Sequence, residues 1–240
     1  ALGNDEPKYL NSPETPIFNK SKLFFNYYQA RSSIRKNEQA VLFEGFADTI
    51  SAAEAGVENG LATMGTSLTD DHIQILKRNC NEVVVCFDAD KAGVEAANRA
   101  ADMLYQANLQ VKISQMPDGL DPDEYIKKYG SKSFMQEVIG NSLTYIAFKM
   151  RYLRNGRNLN NEGDRISYIE EVLKEMIKVS NVVEREHYLR QISSEFSLSL
   201  DALNTQLKKL YFAEKKRGNL PQTNFQGQSK GIVLQYEQKL

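Results

Sequence analysis

The pattern of apolar and polar positions changes character twice along the chain. Residues 1–20 are rich in Asn, Ser and Pro and hold no sustained period, so extended or looped backbone is expected there. Residues 21–36 have helical spacing, with Leu23, Phe24, Tyr27, Tyr28 and Ile34 able to share one face. Short apolar runs then alternate with amphipathic segments. QAVLFEGF (39–46) predicts a buried strand, and ADTISAAEAG a helix closed by Gly56. GLATMG (60–65) predicts a second strand. TDDHIQILKRN (69–79) predicts a helix, with Thr69 as N-cap and two acids in its first turn. EVVVCFD (82–88) reads as the third strand, KAGVEAANRAADMLYQAN (91–108) as an Ala-rich helix, and LQVKISQM (109–116) as the fourth strand. Strand and helix alternating at this interval imply a mostly parallel sheet covered by helices.

After residue 140 the strand signals vanish. TYIAFKMRYLRN, RISYIEEVLKEMIKVS, VEREHYLRQISSEF and SLDALNTQLKKLYFAEKKR predict four amphipathic helices, separated by polar breaks such as NGRNLNNEGD. The fold class is therefore α/β followed by an all-α subdomain. Residues 218–231, GNLPQTNFQGQSKG, have the composition of a linker.

Composition narrows the setting. The 240 residues are 41% hydrophobic and 25% charged, and no apolar run approaches the roughly 20 residues that span a bilayer. The polar N-terminus lacks both a signal pattern and an initiator Met, so a fragment or processed product is expected. Cys86 lies inside an apolar strand, where a buried free thiol is expected; with Cys80 as the other cysteine and two distant histidines, no structural zinc site can form. A reducing compartment, the cytoplasm, follows. Net charge is −1 overall, but it divides into +3 over residues 1–36, −8 over 37–135 and +4 over 136–240. An acidic centre between basic flanks suits a cation-dependent enzyme acting on phosphates.

The acids fall where chemistry is expected. Open α/β sheets bind ligands at the carboxyl ends of their strands. Glu44 ends the first strand, and Asp88 and Asp90 end the third, two residues apart and so on one side of an extended backbone. Asp48 is one helical turn after Glu44, and the loop MPDGLDPDEYIKKYG adds Asp118, Asp121 and Asp123. Crowded carboxylates repel unless a divalent cation neutralises them, and Mg²⁺, with Mn²⁺ as substitute, is the natural guest. A D-x-D alone reads equally well as turn chemistry, and Asp123 or Ser131 as helix caps. The conjunction of all three segments is what points to a metal site.

EGFADTISAAEAGVENGLATMGTSLT followed by VVVCFDADKAGVEAANRA resembles the Toprim module shared by bacterial primases, topoisomerases and some nucleases. PKYLNSPETPIFNKS and LDPDEYIKKYG are similar to the basic signature and the acidic loop of bacterial DNA primases. The resemblance implies that residues 1–36 end a basic N-terminal subdomain, 37–135 form the Toprim domain and 136–217 a helical bundle. Residues 218–240 would be a linker toward a helicase-binding domain outside this chain. It implies Glu44, Asp88 and Asp90 as catalytic metal ligands, with Asp48, Asp121 and Asp123 as accessory acids. Lys8, Tyr9, Asn11 and Lys20 would hold nucleotide phosphates or template.

The activity so implied is RNA primer synthesis for DNA replication on a single-stranded DNA template. Nucleoside triphosphates and the RNA–DNA primer duplex are the implied ligands, a replicative helicase the implied partner, guanine alarmones the implied inhibitors, and a monomer the implied state. The rival readings are a Toprim nuclease or topoisomerase, using the same acids to cleave DNA, and a non-catalytic nucleotide- or DNA-binding module. Elsewhere the expectations are plain: His72 and His187 at the surface of helices, the aromatics of 23–28 in packing, and KKLYFAEKKR as a solvated helix face.

Overall fold

A computed structural model of the chain describes residues 14–15, 18–117 and 119–217. The chain forms two compact units, divided after Tyr145. Among the described residues, no helix is long and apolar enough to cross a membrane.

The first unit is built on a five-stranded sheet of order β2-β1-β3-β4-β5. Its strands are β1 (Gln39–Phe43), β2 (Gly60–Ala62), β3 (Glu82–Cys86), β4 (Gln110–Ile113) and β5 (Leu143–Thr144). The first four are mutually parallel. β1 and β3 are central, and Ala40–Phe43 and Val83–Cys86 are buried along their whole length. Continuous apolar runs rather than alternation are what a strand covered on both faces requires. Helix α1 (Tyr27–Asn37) precedes β1, α2 (Phe46–Glu54), α3 (Asp70–Lys77) and α4 (Lys91–Gln106) connect the four parallel strands in turn, and α5 (Pro122–Tyr129) follows β4. One core cluster joins Val41, Phe43, Val84 and Cys86 of the sheet to Ala52 of α2 and Tyr125 of α5. Phe134 and Val138 complete it from the segment after α5, a short turn α6 (Ser131–Ser133) that runs into a π-helical stretch over Phe134–Ile139.

Three expectations need correcting. The helix expected over 21–36 begins only at Tyr27, because Asn26 is left-handed (φ 65°) and breaks the spiral before it. Residues 20–22 form a 3₁₀ turn, and Phe25 bridges antiparallel to Ala62. Strands do not end at residue 140: Leu143–Thr144 pairs antiparallel with β4. Two residues carry no readable period, so this edge strand left no trace in the sequence. The acidic segment read as a loop is largely helix α5. Asp121 is its N-cap, Pro122 occupies the first turn, and Asp121 and Glu124 form a reciprocal capping box.

The second unit contains α7 (Tyr145–Arg154) from its second residue on, then α8 (Glu162–Met176), α9 (Val182–Phe196) and α10 (Leu200–Arg217). These are the four helices that the sequence predicts. α10 packs on α8 and α9, and Tyr168, Val172, Leu173, Met176, Leu189, Ile192, Leu203 and Leu207 are all buried. Asn161 and Asn181 cap α8 and α9 through their side-chain oxygens.

Candidate active site

The sheet's register brings the acids together. β1 and β3 are neighbours, with Phe43 opposite Cys86. Glu44 follows the first of these and Asp88 stands two residues beyond the second, so both lie at the carboxyl-end rim where such sheets bind ligands. Gly45 N-caps α2, and the buried Asp48 sits in that helix's first turn. A Cβ on Gly45 would stand 2.9 Å from Asp48 Oδ2. The glycine thus leaves the space in which the Asp48 carboxylate folds back toward the rim.

Asp90 N-caps α4, its Oδ1 accepting from Gly93 N at 2.7 Å. Gly93 itself presses on the other acid: a Cβ there would lie 2.4 Å from the Asp88 carbonyl oxygen and 3.0 Å from Asp88 Cβ. D-A-D-K-A-G is therefore one device, in which a single glycine accommodates the backbone of one acid and donates to the carboxylate of the other. Neither Gly45 nor Gly93 stands out among the candidates drawn from the sequence, although a glycine soon after each acidic turn was the available signal.

Asp121 and Asp123 reach the rim by way of α5, which packs on α2. Asp121 Oδ1 accepts from Glu124 N at 2.7 Å as part of the capping box. Asp123 is committed elsewhere, accepting from Ser51 of α2 and from Lys127 one turn on. These bonds hold its carboxyl below the usual range. Ser51 is a further addition to the candidate residues, and nothing in its local sequence marks it.

The electrostatics separate these acids from ordinary surface carboxylates. Asp88 is pushed up to about 7, first by burial and then by Asp48, Glu44, Asp121 and Asp90. Asp48 is raised to about 6 by burial and by Asp121. Glu44 is raised by partial loss of hydration and by Asp90, with Arg99 opposing. Behind them Cys86 is a buried free thiol pushed up to about 12 by desolvation, as is fitting for core packing rather than chemistry. One oxygen of Asp88 is buried with no hydrogen-bond partner. An orphaned carboxylate oxygen among like charges is a strong reason to expect a cation.

The donor set suits a hard divalent ion, since every candidate ligand is a carboxylate. Among the described residues, however, no three His, Cys, Asp or Glu side chains are gathered around a single ion position. Mg²⁺ is commonly held by one or two carboxylates together with water and substrate phosphates, and a rim of spread acids fits that mode. Of the expected phosphate ligands, Lys20 lies in the 3₁₀ turn before α1. Lys8, Tyr9 and Asn11, like Asp118 of the acidic segment, lie outside the described residues.

His72 corrects another expectation. It is fully buried in α3, stacked on Phe24 with ring centroids 4.3 Å apart. His187 is exposed, as expected.

Comparison with known proteins agrees with this geometry. Residues 41–126 match the Toprim-like family model, 1–31 match "DNA primase catalytic core, N-terminal domain", and 146–201 match "DnaB-helicase binding domain of primase". The last match falls on the helical unit, whereas the sequence alone led us to expect helicase contact outside this chain. A DNA primase of Halalkalibacterium halodurans is 56% identical over 92% of this chain and 37% of its own length. A DNA primase domain from Pseudomonas aeruginosa superposes with a TM-score of 0.68 at 28% identity, covering 88% of this chain and 65% of that one. A DnaG primase catalytic domain bound to single-stranded DNA gives 0.66 at 32% identity, over 80% and 63%. The chain spans about a third of the length of the curated relatives it matches. The acid rim, the sheet order that creates it and these likenesses together place the chain in the bacterial DNA primase family.

Proposed function

We propose that this chain carries the nucleotidyl-transfer centre of a DNA primase, joining ribonucleotides on a single-stranded DNA template. The observation that carries the proposal is the placing of Glu44 and Asp88 at adjacent strand ends, one oxygen of Asp88 being buried without a partner. In this reading the 3′-hydroxyl of a primer attacks the α-phosphorus of a nucleoside triphosphate and pyrophosphate leaves. Mg²⁺ or Mn²⁺ bound at the rim would lower the pKa of that hydroxyl and screen the phosphates.

The protein's own contribution is positioning and charge. Glu44, Asp88 and Asp90 supply the primary carboxylates, and Asp48 and Asp121 deepen the negative field around Asp88. Asp123 acts as an accessory acid by joining α5 to α2 through Ser51. Lys8, Tyr9, Asn11 and Lys20 meet phosphate from the basic side. The helical unit supports contact with a replicative helicase, on the strength of the match over 146–201.

The test is primer synthesis on single-stranded DNA with radiolabelled ribonucleotides. Glu44→Gln or Asp88→Asn should abolish it while leaving cooperative thermal unfolding intact. Undiminished synthesis by either variant would refute the assignment. Mg²⁺-dependent nicking of duplex DNA without synthesis would favour the nuclease or topoisomerase reading instead.

A further inference from the structure

Residues 18–26 form a strap across the edge of the sheet. Phe25 exchanges backbone hydrogen bonds with Ala62 at 2.9 and 3.4 Å, and Asn26 Nδ2 donates to the Gly60 carbonyl at 3.0 Å. The bridge is antiparallel, so residues preceding Phe25 run past the carboxyl end of β2. Ala62 is registered against Phe43, and Phe43 against Cys86. From Phe25 to Cys86 is therefore three strand spacings, about 14 Å. That is close to the reach of a nucleoside triphosphate, and it puts the strap that carries Lys20 and Lys22 at the same end of the sheet as Glu44 and Asp88.

Ahead of that bridge, the Lys20–Leu23 part of the strap is bound by a buried ring. His72 Nε2 lies 3.0 Å from the carbonyl oxygens of both Lys20 and Leu23. Since both partners are acceptors, that nitrogen must carry the proton and donate. His72 Nδ1 is then free to accept from Thr69 N, 3.3 Å away, closing the capping box of α3. The neutral ring meets every partner, and burial, which lowers its pKa, keeps it neutral. Thr69 Oγ1 adds a second clasp, donating to the Ser21 carbonyl at 2.6 Å. Three of the four carbonyls between Lys20 and Leu23 are thus bound by two residues of α3's N-terminus.

We infer that His72 is a positioning residue, clamping the Lys20–Leu23 strap at the active-site rim so that its lysines meet the phosphates of nucleotide or template. This rests on the primase reading above for the identity of the ligand, but the clamp itself rests on the hydrogen bonds. A residue that merely filled the core would tolerate loss of either ring nitrogen equally. A clamp depends on Nε2.

Two substitutions separate these cases. In His72→Gln the amide nitrogen takes the place of Nε2 and keeps the bonds to the strap. In His72→Asn the side chain reaches only as far as Nδ1 and loses them. The full chain is titrated with a fluorescent ATP analogue plus Mg²⁺ and, separately, with a single-stranded DNA oligonucleotide. Hydrogen exchange at the Ser21–Phe25 amides is followed in parallel. His72→Asn should weaken binding of at least one ligand by about tenfold, the scale of one lost hydrogen bond, with His72→Gln within about twofold of the parent. Whichever ligand is affected identifies the source of the phosphate.

The effect should vanish in a Lys20→Ala, Lys22→Ala background, because a strap without its lysines has nothing to position. Equal losses in Asn and Gln variants, or unchanged exchange in both, overturn the clamp. Faster exchange in His72→Asn with binding unaffected overturns the positioning role and the phosphate reading of the lysines. The acid rim stands or falls separately, on the synthesis assay of the Glu44 and Asp88 variants. Should both His72 variants unfold, Thr69→Ser against Thr69→Val poses the same question at the second clasp. Serine keeps the bond to Ser21 and valine does not.

Discussion

The helical unit and the acid rim of the α/β unit treat charge in opposite ways, although the α/β unit also holds the pairs Lys112–Glu82 and Lys127–Asp123. In the helical unit, ions find partners: Arg154 with Glu195, Arg157 with Glu171, Lys178 with Glu175, Arg190 with Glu186 and Arg217 with Glu214. In the α/β unit, Asp88 stands among Asp48, Glu44, Asp121 and Asp90, and every one of them raises its pKa. Paired surface charges are nearly neutral in folding and serve solubility. Unpaired, half-buried charges of one sign cost stability, and they persist where something outside the chain neutralises them. The contrast separates the residues that serve the fold from those that serve a ligand.

The sharpest way to break the contrast is to remove the charge and keep the shape. Asp88→Asn should lower primer synthesis at least about a thousandfold, if the carboxylate supplies charge to a metal-assisted step. The same substitution should raise the thermal transition measured without divalent ions, because it removes the most strained charge. Lower activity together with lower stability would mean that Asp88 is structural. Next in size is Gly93→Ala. A Cβ 2.4 Å from the Asp88 carbonyl must displace backbone, at a cost of about 1–3 kcal/mol. Denaturant unfolding should show that loss, and synthesis should fall with it as the D-A-D turn shifts.

Much of this contrast is legible in the sequence itself. β1 and β3 announce themselves as apolar runs, and with them Glu44 and Asp88, because a strand buried on both faces has no other way to be written. The four helices of the second unit are equally plain from their period. What stays hidden depends on long-range packing. Nothing local distinguishes His72 from a surface histidine, since its partners Lys20 and Leu23 are about fifty residues away. Ser51 likewise meets Asp123 only because α2 packs on α5. The capping box at Asp121 is written in the sequence as D-P-D-E, and the dominance of its acids as candidate ligands conceals its role as a helix start.

Titration sharpens the comparison further. Asp88 is held at about 7 and Asp48 at about 6 in the folded chain, against roughly 3.9 for an unfolded aspartate. The folded state therefore binds more protons than the unfolded state between about pH 4 and pH 7, and stability falls as pH rises through that window. A divalent ion at the rim should reverse the trend. The shift in melting temperature on adding Mg²⁺ or Mn²⁺ should be several degrees at pH 8 and close to nil at pH 5, where protons occupy the same carboxylates. Equal shifts at the two pH values would place the ion elsewhere. Arg157→Ala leaves the rim intact, so its melting temperature should respond to divalent ions and pH as the parent's does.

The smallest effect is expected from the ion pairs themselves, and it is the most direct check on the contrast. Arg157 and Glu171 are 2.7 Å apart, with side chains 24% and 36% exposed. At that exposure solvent screens most of the attraction, and a double-mutant cycle of Arg157→Ala with Glu171→Ala should return about 0.2–1 kcal/mol. Raising salt from 50 mM to 1 M should reduce the coupling further, since the screening length contracts from above about 10 Å to about 3 Å. Primer synthesis should be unchanged throughout. A coupling of several kcal/mol, or a loss of synthesis, would show that charge in the helical unit is not merely balanced. The difference between rim and bundle would then be one of degree, with crowded like charges at the rim and paired ions in the bundle both under functional constraint.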